Sequence, residues 1–139
     1  MRANIPEVKG KRIVVIGGGF SGLKLATELI KTNYQIVLLD MHNYHMFQPL
    51  LYQVATAGIE PSSISFPYRK VFQSRKNIHI RVTEVLKINF EKNKVSTTIG
   101  YVNYDYLVIA IGTTTNYFGN ETIRMKSYPM KSISEALNL

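Results

Sequence analysis

Two kinds of apolar pattern alternate along this chain. Ile13-Val14-Val15-Ile16 is an unbroken apolar run rich in β-branched residues, the composition of a strand buried on both faces. After a glycine-rich break, apolar positions recur at helical spacing. Leu23, Ala26, Leu29 and Ile30 share one face, while Lys24, Glu28 and Lys31 point outward. A second buried strand, Ile36-Val37-Leu38-Leu39, ends on Asp40. Leu50, Leu51, Val54 and Ala55 predict a short helix or turn after Pro49, a residue suited to a first helical position, and Gly58 and Pro61 break that pattern. From Ser62 a second helical stretch carries Ile64, Phe66, Tyr68, Val71 and Phe72, with Pro67 at its start or at a kink. Residues 78–82 read as a strand, and 84–90 and 94–99 as an antiparallel hairpin joined at Glu91-Lys92-Asn93. Gly100 turns the chain into a further buried strand that runs from Tyr104 to Gly112. Residues 113–139 are polar with turn residues at Asn116, Gly119-Asn120 and Pro129, until a helix begins near Ser134 with Ser132 or Ser134 as its cap. Residues 1–10 read as a flexible lead-in.

The glycine-rich break is the informative stretch. Gly17, Gly19 and Gly22 fit G-x-G-x-x-G, with Phe20 and Ser21 filling the gap before the third glycine. Gly17 allows a turn that a side chain obstructs, Gly19 lets the backbone approach a pyrophosphate, and Gly22 lets helix and strand pack closely. The N–H groups at the helix start, with its positive dipole end, then suit a diphosphate. Asp40 follows Gly22 by eighteen positions and ends the second strand, where a carboxylate accepts hydrogen bonds from a ribose 2′-hydroxyl. It also repels a 2′-phosphate, and Met41 and His42 offer no arginine to hold one. That favours FAD or NAD over NADP. A glycine motif alone is a weak signal, but the strand before it, the helix after it and the acid at this distance supply the confirming context.

Composition narrows the alternatives. The chain has 139 residues, enough for one ordinary core but short for a flavoenzyme that must hold two nucleotides. Its 45% apolar content fits a globular domain, and no apolar run approaches a membrane span. The N-terminus has no signal-peptide core. With no cysteine, this segment has no disulfide, thiolate ligand or cysteine nucleophile. His42, His45 and His79 show no metal-ligand spacing, and no metal is expected. The net charge of +8 is scattered, so a solvated basic surface is the plain reading and attraction to anionic lipid the sharper one. No nucleic-acid motif accompanies the charge.

Four stretches resemble the opening of a type II NADH dehydrogenase, the single-chain, non-proton-pumping NADH:quinone oxidoreductase. They are IVVIGGGFSGLKLATEL, DMHNYHMFQPLLYQVATAGI, YDYLVIAIGTTTNYFG and MKSISEAL, and the likeness spans residues 11–139. NYHMFQPLLYQVATAGI is more specific than the glycine motif. The resemblance implies an α/β fold: a Rossmann-like, three-layer FAD-binding domain with a parallel sheet and a β-hairpin or meander excursion. Residues 11–139 would be its N-terminal part, truncated before the NADH-binding domain. The glycine motif (Gly17, Gly19, Phe20, Ser21, Gly22) would hold FAD, with Asp40 on the adenosine ribose and the backbone near Val85 meeting the adenine. Gln48, Pro49 and Leu50 would lie beside the isoalloxazine. Ala110-Ile111-Gly112 matches an Ala-Thr-Gly turn near the flavin; its backbone role survives the isoleucine, while a hydroxyl contact does not. NADH would bind in a later domain, and a C-terminal region would hold the fuller protein on the cytoplasmic side of the inner membrane. The segment itself is then soluble and inactive alone, hydride passing in the fuller enzyme from NADH to FAD and two electrons on to a membrane quinone.

Other residues carry weaker readings. His42 and His45 could tune proton uptake, though such a histidine more often packs or bonds backbone. Tyr52 and Gln53 either border a quinone path or pack a loop. Tyr101, Tyr104, Tyr106 and Tyr117 read as packing rather than a base-stacking platform. Arg69-Lys70 reads as a solvated face, and no catalytic residue stands out. The rival readings are another two-dinucleotide flavoprotein, such as a sulfide:quinone oxidoreductase, and a non-catalytic nucleotide-binding module. Uncovered apolar surface would favour self-association of the segment.

Overall fold

The computed structural model describes residues 1–7 and 9–139. In chain order its elements are β1 (Arg12–Ile16), α1 (Phe20–Leu29), β2 (Gln35–Asp40), β3 (Tyr44–Met46), a 3-10 turn at Gln48–Leu50, α2 (Leu51–Ala55) and a second 3-10 turn at Pro61–Ile64. Then come β4 (Ser65–Pro67), α3 (Tyr68–Val71), β5 (Ile78–Val82), β6 (Val85–Asn89), β7 (Lys94–Thr97), β8 (Gly100–Asn103), β9 (Tyr106–Ile109), α4 (Glu121–Lys126) and α5 (Ile133–Leu137). The described residues form two compact units: Met1–His45 with Pro67–Gly112, and Met46–Phe66 with Thr113–Leu139.

The β-branched runs become the centre of the first unit. Strands β5, β2, β1 and β9 form a parallel sheet in that order. All of β1 and the first five residues of β2 are buried, as a sheet covered on both faces requires. Alternation splits their side chains between the faces. Ile13, Val15, Ile36 and Leu38 pack with Ala26 of α1 and with Tyr68 and Phe72. Val14, Ile16, Val37 and Leu39 pack against Val95, Val102 and Tyr104 around the antiparallel meander β6-β7-β8. Helix, parallel sheet and meander are the three layers expected.

Helix α1 buries the predicted face and leaves Glu28 between Lys24 and Lys31, at 2.8 and 2.6 Å. Its C-terminal connection is closed by Asn77, whose amide nitrogen donates toward the carbonyls of Ile30, Thr32 and Tyr34 at 3.1–3.3 Å.

Five expectations need correction. The buried strand expected from Tyr104 to Gly112 is strand only over β9 and is partly exposed, because β9 lies at the edge of the sheet. The hairpin has a third strand, β8: Gly100 begins it rather than ending the excursion, at φ +124° where the backbone of Met1, Arg2 and Ala3 leaves no room for a Cβ. The lead-in is not loose over its described residues. Ala3 and Ile5 are core residues, the Ala3 N–H donates to the Tyr101 carbonyl at 2.9 Å, and Arg12 and Gln35 both donate to the Pro6 carbonyl. Val8 lies outside the described residues. The stretch from Ser62 is not one helix, because a residue before proline is pushed out of the helical region; Phe66 is extended and the helical turn starts at Tyr68. In the polar tail, α4 forms with Asn120 as its cap, the side chain accepting from the Ile123 N–H at 3.0 Å.

The second unit has its own small core of Leu51, Val54, Ile64 and Ala136. Ser132, of the two candidates, caps α5. Its hydroxyl accepts from the Glu135 N–H at 3.2 Å and the Glu135 carboxylate accepts from the Ser132 N–H at 3.0 Å, a reciprocal capping box.

Because Ile5 is only 9% exposed within the sheet–meander core, Ile5→Ala is expected to destabilise the chain by about 2–3 kcal/mol. Urea unfolding checks this; an unchanged midpoint would show that the N-terminal segment is not part of the core.

Candidate functional site

In a parallel sheet every strand presents its carboxyl end at the same edge, where ligands of such folds bind. Register makes this concrete. Ile16 lies opposite Leu39 on one side and Ile109 on the other. Gly17 donates to the Leu39 carbonyl at 2.8 Å and Ala110 donates to the Ile16 carbonyl at 2.8 Å. Gly17 and Ala110, which follow β1 and β9, and Asp40, the last residue of β2, therefore meet at one edge.

The turn after β1 is shaped by close approach. Gly17 has φ +94°, and a Cβ there would overlap the Ala110 carbonyl. A Cβ on Gly22 would overlap the Gly17 carbonyl. Around Gly19 the opposite holds: a Cβ would meet nothing within 4 Å. Gly19 is also the N-cap residue of α1, with no side chain capping that end and no acidic residue in the first turn. An open approach to a helix N-terminus is where fixed backbone donors suit a diphosphate. Beside it, Gly112 has φ +70° and open space, and Ile111 is 70% exposed.

Asp40 closes the arrangement. Its Oδ2 accepts from the Gly18 N–H at 2.5 Å and from the Tyr68 hydroxyl at 3.2 Å, and its Oδ1 accepts from the His42 N–H at 2.7 Å. The Gly18 carbonyl accepts from the Tyr68 hydroxyl at 2.9 Å and faces His45 Nδ1 at 3.0 Å. A carbonyl only accepts, so this contact places the proton on Nδ1. Burial first, and the charge of Asp40 second, push the Tyr68 pKa well above its ordinary value, so the phenol stays a donor.

Sequence reasoning passed over Gly18 and Tyr68. A Cβ on Gly18 would overlap the Tyr68 hydroxyl, so the extra glycine in Gly17-Gly18-Gly19 and the phenol in the apolar face of 62–72 answer each other. The signal was a tyrosine at a core position, whose hydroxyl needs a partner. His45 takes the backbone-bonding role of its two readings: it is 6% exposed and meets the Phe20 ring edge-on at 5.2 Å. His79 on β5 is half-buried, and burial followed by the charges of Arg81 and Arg12 holds its pKa below the usual imidazole value. Among the described residues no cluster of three or more His, Asp, Glu or Cys could hold a metal.

The remaining candidates lie on other elements. Val85 begins β6 opposite Thr97, shortly after the Thr83 N–H donates to the Asp40 carbonyl at 2.8 Å. Gln48, Pro49 and Leu50 form a 3-10 turn in the second unit, where Leu50 packs against its core. Tyr52, 52% exposed, accepts from the Gln53 amide at 3.1 Å. Arg69 and Lys70 are exposed in α3, the solvated face expected.

The sequence model of the pyridine nucleotide-disulphide oxidoreductases matches residues 11–134. The chain belongs to this family. Within it, the chain is 38% identical over 132 residues to the type II NADH:quinone oxidoreductase Ndh of Mycobacterium tuberculosis, covering 92% of this chain and 28% of that protein. It is 31% identical to the external alternative NAD(P)H-ubiquinone oxidoreductase B1 of Solanum tuberosum, covering 96% of this chain and 25% of that one. Among solved structures, the sulfide:quinone oxidoreductase of Aquifex aeolicus superposes with a TM-score of 0.84 at 30% identity, over 93% of this chain and 30% of that chain. NDH2 of Plasmodium falciparum, in complex with NADH, shares the fold with a TM-score of 0.79 at 23% identity, over 92% and 27%. This pyridine nucleotide-disulphide oxidoreductase chain thus spans under a third of the length of these relatives.

In this chain Gly18→Ala sets a methyl group against a buried phenol that has nowhere to move. The substitution is expected to cost about 2 kcal/mol or more through overpacking. Thermal unfolding of Gly18→Ala beside Gly18→Ala/Tyr68→Leu checks the cause; the second change should restore part of the loss.

Proposed function

We propose that this chain is the FAD-binding portion of a type II NADH:quinone oxidoreductase. The observation that carries the reading is the meeting of the Gly17–Gly22 turn, Asp40 and the Ala110–Gly112 turn at one carboxyl edge. On this reading the backbone at Gly19, Phe20 and Ser21 binds the diphosphate, Gly17 and Gly22 shape the turn, and Asp40 orients the adenosine ribose. The open space at Gly19 and the uncapped helix start fit that group. Val85 borders the adenine through its backbone, and Ala110 and Gly112 border the flavin through theirs. Gln48, Pro49 and Leu50 shape one face of the flavin ring, with Tyr52 and Gln53 beside the approach of the quinone.

When bound, FAD supplies the two-electron chemistry for which the protein provides position and exclusion of water. NADH binding belongs to sequence outside residues 11–139, as does attachment to the cytoplasmic face of the inner membrane. Among the described residues no helix is long and apolar enough to cross a membrane. The chain alone is inactive on this reading. Its likeness to the Aquifex structure supports a second reading, a sulfide:quinone oxidoreductase.

Titration of the purified chain with FAD, followed by visible absorbance, tests the site. Bound flavin that is lost in Asp40→Ala is the expected result, and a chain that ignores FAD but takes up NAD would remove the flavin assignment. In the full-length protein, bleaching of the flavin by NADH supports the first reading and bleaching by sulfide alone the second. Self-association is supported by Ile109 and Ile111, 53% and 70% exposed along and beyond the open edge of β9. Light scattering should show species above 15.8 kDa that grow with concentration; a uniform monomer would contradict it.

A further inference from the structure

Tyr68 offers one proton to two acceptors. Its hydroxyl lies 2.9 Å from the Gly18 carbonyl oxygen and 3.2 Å from Asp40 Oδ2, and a phenol donates a single hydrogen. The ring cannot turn away, because Tyr68 is 1% exposed and wedged among Ile13, Val15, Ile36 and Leu38. Asp40 is held from both of its oxygens, by the Gly18 N–H on Oδ2 and the His42 N–H on Oδ1. An arriving ribose hydroxyl therefore meets a carboxylate that is already fixed in place but carries one exchangeable contact.

On the flavin-nucleotide reading given above, we propose that Tyr68 is a positioning residue for the adenosine ribose. It holds the Asp40 carboxylate and the Gly18 peptide in the binding arrangement, and it yields Asp40 Oδ2 to the ribose 2′-hydroxyl by turning its proton wholly onto the Gly18 carbonyl. The exchange leaves no buried donor unpaired, which is the condition for it to cost little. Without the hydroxyl, the carboxylate loses a donor that fixes it, and the Gly18 carbonyl keeps only His45.

The test compares the wild-type chain with Tyr68→Phe in equilibrium titrations against FAD and against FAD lacking the adenosine 2′-hydroxyl. Tyr68→Phe should weaken FAD binding by about tenfold. It should also shrink the preference for FAD over the deoxy analogue. An equal loss for both ligands would make Tyr68 a packing residue and overturn the proposal, as would unchanged binding. A Tyr68→Phe chain without a cooperative thermal transition would overturn it too, by making the hydroxyl a requirement of the fold. A wild-type chain that binds neither flavin would instead overturn the flavin reading on which the proposal rests.

Discussion

Both backbone polar groups of Gly18 are taken by side chains: its N–H by Asp40, its carbonyl by Tyr68 and His45. These partners come from the end of β2, from β3 and from α3, so one residue ties three segments to the turn between β1 and α1. A buried backbone group without a partner costs about 1–3 kcal/mol, so the turn has little freedom to rearrange once these segments are in place. The sheet sets up the rest. Parallel register brings Asp40 level with the turn, and it brings the Ala110 carbonyl against Gly17, where a Cβ would not fit.

The open and crowded sides of this turn divide its work. Gly17, Gly18 and Gly22 are packed against protein, whereas the space beside Gly19 is empty. Three glycines thus serve the packing of the fold, and the fourth leaves open space outside the turn. A turn braced this heavily is preorganised, and a preorganised site spends less ordering entropy when it is filled.

Much of this was legible in the chain itself. The β-branched runs, the helical face of 23–30, the glycine spacing and Asp40 each follow from local rules, and the structure places them as those rules require. The parts that were not legible depend on distant partners. Gly100 reads as a turn because nothing nearby shows that residues 1–3 will lie against it. Ala3 and Ile5 are too few to show a period. Tyr68 reads as one more apolar position, since the phenol's partners are 28 and 50 residues away. The short helix α4 is hidden for another reason: it buries no residue, and its support is a cap and one surface ion pair. In the second unit the turn after Pro49 and helix α5 were readable as elements, but a resemblance and not a spacing assigned Gln48, Pro49 and Leu50 to the flavin.

The central position of β1 also shapes how the chain reaches its fold. β1 is separated from β2 by little more than α1, but its other neighbour, β9, is residues 106–109. The N-terminal segment must likewise wait for Tyr101, whose carbonyl accepts from Ala3. Contacts of such long sequence separation are slow to form, and a nascent chain emerges from its N-terminus. For most of its synthesis, then, the first unit carries the apolar edge of β1 unpaired, a strand that needs shielding until the ninth strand arrives.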